Sequence, residues 1–150
     1  MMAASGGTKS DFKRAAGIIL ASNPLGGICG DVCPDHHCVA ACSREKFDSP
    51  IQIPAVQASI IKKAREMGAD PDFILPPSNG MRIAIIGGGP AGIGAAVSLR
   101  QLGYEPEIFD AEELGGQAVL IPDARLDRGM LMADLMWVSE AFKIVHHKQQ

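Results

Sequence analysis

Apolar and polar positions along the chain change their period near its middle. Residues 11–21 predict an α-helix. Phe12, Ala16 and Ile19 return to one face at helical spacing, with Ser10 as the candidate N-cap. Asn23-Pro24 ends it, because the residue before a proline is steered away from helical angles. A cysteine-rich loop follows, and a second helix starts near Pro54, which a first turn accepts. Val56, Ile60, Ala64 and Met67 form its expected buried stripe, and Gly68 suits a left-handed C-terminal position. Neither helix is long enough to stand alone, so both must pack on each other, on the loop or on further chain.

Residues 69–80 carry Pro71, Pro76 and Pro77 and end in the turn signal Asn79-Gly80, so they read as a linker. Beyond it the pattern becomes strand, glycine turn, helix, strand. Residues 82–86 form a short apolar run that reads as a buried parallel strand. A helix over 90–102 closes at Gly103, and a strand over 107–109 ends at Asp110. A last helix over 129–142 buries Leu131, Leu135, Val138 and Phe142, with Met130, Met132 and Met136 read as core filling. A third strand falls at about 143–147. The expected fold is α/β: a helical cysteine-containing segment (1–68), the linker, and an incomplete Rossmann-like parallel-sheet domain (81–150).

Composition narrows the function classes. Fourteen basic against 17 acidic residues give a formal charge of −3, with no basic face for nucleic acid or a membrane surface. The longest uncharged stretch, residues 83–99, is broken by five glycines and a proline, too short and interrupted to span a bilayer. The N-terminus shows no secretory pattern before its first charges, which predicts a reducing, cytoplasmic setting. There, four cysteines within 29–42 suit a metal better than disulfides.

Gly87-Gly88-Gly89-Pro90-Ala91-Gly92 fits G-x-G-x-x-G directly after a strand and at the opening of a helix. Gly87 permits the tight turn, Gly89 lets backbone approach a pyrophosphate, and Gly92 lets helix and strand pack closely. The helix N-terminus offers unpaired N–H groups to the phosphates. Asp110 can accept hydrogen bonds from the ribose hydroxyls and disfavours a 2′-phosphate there. Gly115-Gly116-Gln117, soon after the acidic strand end, completes a pattern that resembles the FAD site of two-dinucleotide-domain flavoproteins, which favours FAD over NAD, with NAD left open.

Cys29, Cys33, Cys38 and Cys42 are spaced x3, x4, x3. Thiolates are soft ligands for iron–sulfur clusters or zinc. Cys33-Pro34 resembles the Cys-Pro endings of ferredoxin runs and favours iron–sulfur, with zinc left open. On spacing alone all four would serve one cluster. His36 and His37 read as solvated loop residues, and His146 and His147 carry no functional claim.

Taken in order, SNPLGGICGDVCPDHHCVAACSREKFDSPIQIPAVQ, IAIIGGGPAGIGAA and LGGQAVLIPDARL resemble the N-terminal part of the glutamate synthase small-subunit and dihydropyrimidine dehydrogenase family, more closely the latter. The resemblance covers residues 12–145. It implies a helical domain with two [4Fe–4S] clusters leading into an FAD domain and an NADPH domain. Electrons would pass from NADPH through FAD and the clusters to a partner domain or subunit. By this resemblance Cys33, Cys38 and Gln57 match ligands of one cluster, Cys42 matches a ligand of the other, and Cys29 matches a cysteine that binds no metal. Gly87, Gly89, Pro90, Ala91, Gly92, Asp110, Gly115, Gly116 and Gln117 fall in the FAD segments, and Arg125 matches a flavin-contacting arginine.

Three features depart from the family pattern: the upstream cysteine run is absent, the Cys33–Cys38 spacing is one residue shorter than in dihydropyrimidine dehydrogenase, and Asp127 stands where the family has proline. The sheet domain also ends after about three strands, short of a doubly wound fold. The expectation is therefore an electron-transfer segment of an FAD and iron–sulfur oxidoreductase, incomplete and inactive alone, whose missing remainder or partner subunit accepts the electrons. It contains no candidate acid, base or nucleophile for a substrate. The competing expectations are a non-catalytic or zinc-binding interaction module and a stand-alone NAD-binding domain.

Overall fold

A computed structural model describes residues 7–34, 36–71 and 73–149. The residues on which the absence of a leader rests lie largely outside that range, as does the side chain of His36.

Helix α1 (Lys9–Ser22) starts two residues earlier than the pattern predicts. Thr8, not Ser10, is the cap: its hydroxyl accepts from Asp11 N–H while Asp11 answers to the Thr8 N–H, a reciprocal box that only this spacing permits. Asn23 ends the helix as expected. The cysteine segment is not an open loop. It folds into α2 (Gly26–Val32), α3 (His36–Ala40) and a 3-10 turn over Ser43–Lys46, placing Cys29 inside α2 and Cys38 inside α3.

Helix α4 (Ile53–Glu66) carries Pro54 in its first turn and ends at Gly68 with φ 58°. Of the expected stripe, Ala64 is buried and Ile60 and Met67 pack, partly covered, against the core, whereas Val56 is exposed; Pro54 and Ile61 also turn inward. Helix α2 crosses α4 closely: a Cβ at Gly30 would lie 2.7 Å from the Ala58 Cβ.

The second half forms β1 (Arg82–Ile86), α5 (Pro90–Gln101), β2 (Glu105–Asp110), α6 (Arg128–Phe142) and β3 (Val145–Lys148). The three strands pair in parallel in the order β1-β2-β3, with Ile85 opposite Ile108 and Ile108 opposite His146. The expected parallel α/β architecture is thus present. β1 is not buried on both faces, however. Ile83 and Ile85 are partly covered on the helix side, while Ala84 and Ile86 on the other face are exposed. Met132 and Met136 are also exposed; of the three methionines read as core filling, Met130 is buried.

Two apolar clusters hold the chain together, and each borrows from the other half. Leu25 and Ile28 of α2 join Ile93, Val97, Ile108, Leu131, Val138 and Phe142. Met130 of α6 joins Ala16, Leu20, Ile61 and Ala64. The stretch between the halves is packed as well: Phe73 meets Trp137 edge-on at 5.6 Å and Phe142 at 5.1 Å. No helix among the described residues is long and apolar enough to cross a membrane.

Candidate functional site: a dinucleotide cradle beside a cysteine helix

The glycine turn has the geometry its residues imply. Gly87 sits at φ 104°, a conformation that L side chains rarely adopt. A Cβ on Gly92 would lie 1.9 Å from the Gly87 carbonyl oxygen, so only glycine lets α5 start so near the strand end. Gly89 is the N-cap of α5 and provides no side-chain cap. Pro90 has no N–H, and no hydrogen bond within the described residues engages the N–H groups of Gly89, Ala91 or Gly92. These are the orphan donors of a helix start, carrying its partial positive charge.

The second glycine pair lies against the first. Gly115 N–H donates to Gly88 O at 2.8 Å, and a Cβ on Gly116 would lie 2.8 Å from Gly89 Cα. Backbone of the second glycine pair therefore borders the free amides. Asp110, at the end of β2, accepts from Gly88 N–H and from Glu112 N–H. The N–H groups of Glu112 and then Gly88 hold its carboxyl below the usual range, so it is ionised at neutral pH. Each carboxylate oxygen keeps a further lone pair for a hydroxyl donor.

A mainly apolar cleft of about 530 Å³ adjoins the start of α5. Pro90, Gln117 and Leu120 line one side, and Leu25, Ile28 and Cys29 of α2 line the other. Its size suits a cofactor-sized ligand. Free backbone donors, an ionised carboxylate with spare lone pairs and an apolar cleft together fit a dinucleotide. Gly87, Gly89, Pro90, Ala91, Gly92, Asp110, Gly115, Gly116 and Gln117 all belong to this one corner. Arg125 does not: its guanidinium donates to Val32 O at 3.3 Å, in a second cleft lined also by Asp31 and Cys33.

The cysteine side is less assembled. Cys33 is exposed, Cys29, Cys38 and Cys42 are partly covered, and all four are free thiols. No group of three His, Cys, Asp or Glu side chains among the described residues could hold a metal. Cys42 Sγ accepts from Ile51 N–H at 3.4 Å; with the N–H groups of Arg44 and Glu45, this holds its thiol below the ordinary value. Burial pushes the Cys29 thiol up. Gln57 is half-buried, and its Nε2 donates to Gly26 O at 2.7 Å, at the opposite end of α2 from Cys33. The structure thus does not gather Cys33, Cys38 and Cys42 into one cage, and these cysteines do not by themselves complete a cluster.

Two features escaped the sequence reading. His147 stacks on Phe109 at 4.6 Å, and its Nε2 lies 2.8 Å from a Glu107 oxygen; that pairing depended on a strand register not known in advance. Asp134 is fully buried on α6. Its signal was legible: it shares a helical face with Leu131, Leu135 and Val138, and a carboxylate on an apolar face needs partners.

Comparison with known proteins agrees with this geometry. Residues 6–69 match the family described as dihydropyrimidine dehydrogenase domain II, 4Fe–4S cluster. Residues 85–135 match the NAD(P)-binding Rossmann-like domain. The chain is 35% identical over 129 residues to the NAD-dependent dihydropyrimidine dehydrogenase subunit PreT of Escherichia coli, covering 83% of this chain and 31% of that protein. It is 34% identical over 132 residues to the NADPH-Fe(3+) oxidoreductase subunit beta of Geobacter sulfurreducens, covering 85% of this chain and 20% of that one. Glutamate synthase [NADH] of Schizosaccharomyces pombe is 36% identical over 126 residues, 80% of this chain and 6% of the yeast protein. The chain spans about a third or less of these relatives. With a helical segment matching a 4Fe–4S domain leading into a Rossmann-like parallel sheet, the chain is similar, segment by segment and in order, to the family of dihydropyrimidine dehydrogenase and glutamate synthase.

Proposed function

We propose that the glycine-turn corner binds FAD and that the chain is an electron-transfer segment of an NADPH-dependent oxidoreductase. One observation carries this reading: the N–H groups of Gly89, Ala91 and Gly92 are free beside a backbone-walled corner, with ionised Asp110 at the adjacent strand end. The free amides would hold the diphosphate, Asp110 would accept from the adenosine ribose, and the apolar cleft would take the ring system and exclude water from it. FAD, when bound, interconverts two-electron and one-electron transfer. The relatives' names support a nicotinamide donor, NAD for one and NADPH for another.

For the cysteine segment we propose that Cys33, Cys38 and Cys42 act as thiolate donors, with Gln57 a further donor, in cages whose remaining ligands come from other chain. In place of substrate chemistry, the residues here provide binding and orientation. Electrons would be accepted by the rest of the enzyme or by a partner subunit.

The test is equilibrium titration of the full chain with FAD, ADP and NAD, followed by quenching of flavin and protein fluorescence. The reading expects FAD to bind more tightly than NAD and to compete with ADP. Failure of all three to bind would remove it. NAD binding more tightly than FAD would replace it with a nicotinamide site.

A further inference from the structure

Helix α2 has seven residues, three of them glycine, and its N-cap Leu25 supplies no side-chain cap. Such a helix does not hold itself together. Its missing cap comes from far along the chain. Asp134 Oδ2 accepts from Ile28 N–H at 2.8 Å, across 106 residues, and the Gly27 N–H also points at this carboxylate. These are the second and third N–H groups of the helix, the pair an N-cap aspartate would normally satisfy. Asp134 Oδ1 takes Arg65 Nη2 of α4 at 2.5 Å, and Arg65 Nη1 reaches the Met130 sulfur at 3.2 Å. Contact is tight enough that a Cβ on Gly27 would lie 2.3 Å from that sulfur. Among the described residues Asp134 is the one fully buried charged side chain, and it ties α2, α4 and α6 at a single point.

From this point α2 runs along the cleft, to which its N-cap Leu25 and its residues Ile28, Cys29 and Val32 contribute, together with Pro90 of α5 and Gln117. We infer that Asp134, braced by Arg65, is a positioning residue for the ring-binding half of the dinucleotide site. It touches no ligand; it fixes the helix that forms the wall. The inference rests on the FAD reading for the ligand's identity, but not for the placement of α2.

The experiment compares wild type, Asp134→Asn and Gly27→Ala as full-length chains, titrated separately with FAD and with ADP. Asp134→Asn removes the charge at constant shape, and Gly27→Ala keeps the charge but presses a methyl group against the Met130 sulfur and Asp134 Oδ1, displacing the first turn of α2 from its cap. Both should weaken FAD on the order of tenfold, the scale of a lost charge-assisted hydrogen bond. ADP should bind unchanged, because its phosphates meet backbone donors on α5. Val138→Ala, a core truncation on the same helix, should lower stability without separating FAD from ADP. The second readout needs no nucleotide: alkylation of Cys29, mapped by mass spectrometry, should accelerate in both α2 variants. Equal weakening of FAD and ADP, or unchanged FAD affinity with unchanged Cys29 reactivity, would overturn the inference. If wild type binds neither nucleotide, the FAD reading fails alone and the Cys29 rates decide the role of Asp134.

Discussion

In the glycine turn the donors are backbone amides of Gly89, Ala91 and Gly92, fixed by the same folding that starts α5. In the cysteine segment the donors are side chains on separate short elements: Cys33 after α2, Cys38 within α3 and Cys42 before the 3-10 turn. The first site is assembled by local backbone geometry and needs nothing further to exist. The second has its donors spread out, each held by its own local contacts, and no three of the described candidates converge. The same chain thus carries one preformed backbone corner and one set of separated thiols, and each half can be tested against the other.

The largest effect should come from the turn. Gly92→Ala forces a methyl group against the Gly87 carbonyl oxygen and should cost about 3 kcal/mol of stability, together with nucleotide binding, by urea denaturation and FAD titration. A smaller effect is expected at Asp110. Its folded carboxyl is held below the unfolded value by the Glu112 and Gly88 N–H groups, so its contribution is complete above about pH 4. The contribution disappears as pH falls through the lowered folded value, and Asp110→Asn should flatten the acid side of a plot of urea midpoint against pH.

On the cysteine side, Cys42 is favoured as thiolate by the Ile51 N–H and Cys29 is disfavoured by burial. Iodoacetamide at neutral pH should therefore modify Cys42 on the order of tenfold faster than Cys29, read peptide by peptide. Similar rates would mean that the segment is not held as described. The smallest effects are two backbone adjustments. Lys143 ends α6 at φ 52°, and Lys143→Gly should gain a few tenths of a kcal/mol in thermal unfolding. Gly94 has open space around its missing Cβ, so Gly94→Ala should gain about 0.5–1 kcal/mol, opposite in sign to Gly92→Ala two residues earlier.

The turn was readable because its information is local. Residues 82–92 contain the strand, the left-handed Gly87 and the close-packed Gly92 within one short run, and Asp110 follows from the next strand's end. Helix α2 was not readable for the converse reason. Its own residues argue against a helix, and the group that caps it lies on α6. The α4 stripe was misread at Val56, because an exposed Val56 and a buried Ile61 are equally apolar in the sequence; the close crossing at Gly30 and Ala58 is visible only in the fold. Gln57 adds a contact that the sequence did not show: its Nε2 donates to Gly26 O and ties α4 to the start of α2.

Phe73 lies in the stretch that composition marks as dispensable tether, yet its ring closes a three-membered aromatic set with Trp137 and Phe142. Anyone trimming the chain to its nucleotide-binding portion at the first strand would thus discard a plug and leave two large rings facing solvent. A cut that respects the architecture has to retain the segment from Phe73 onward.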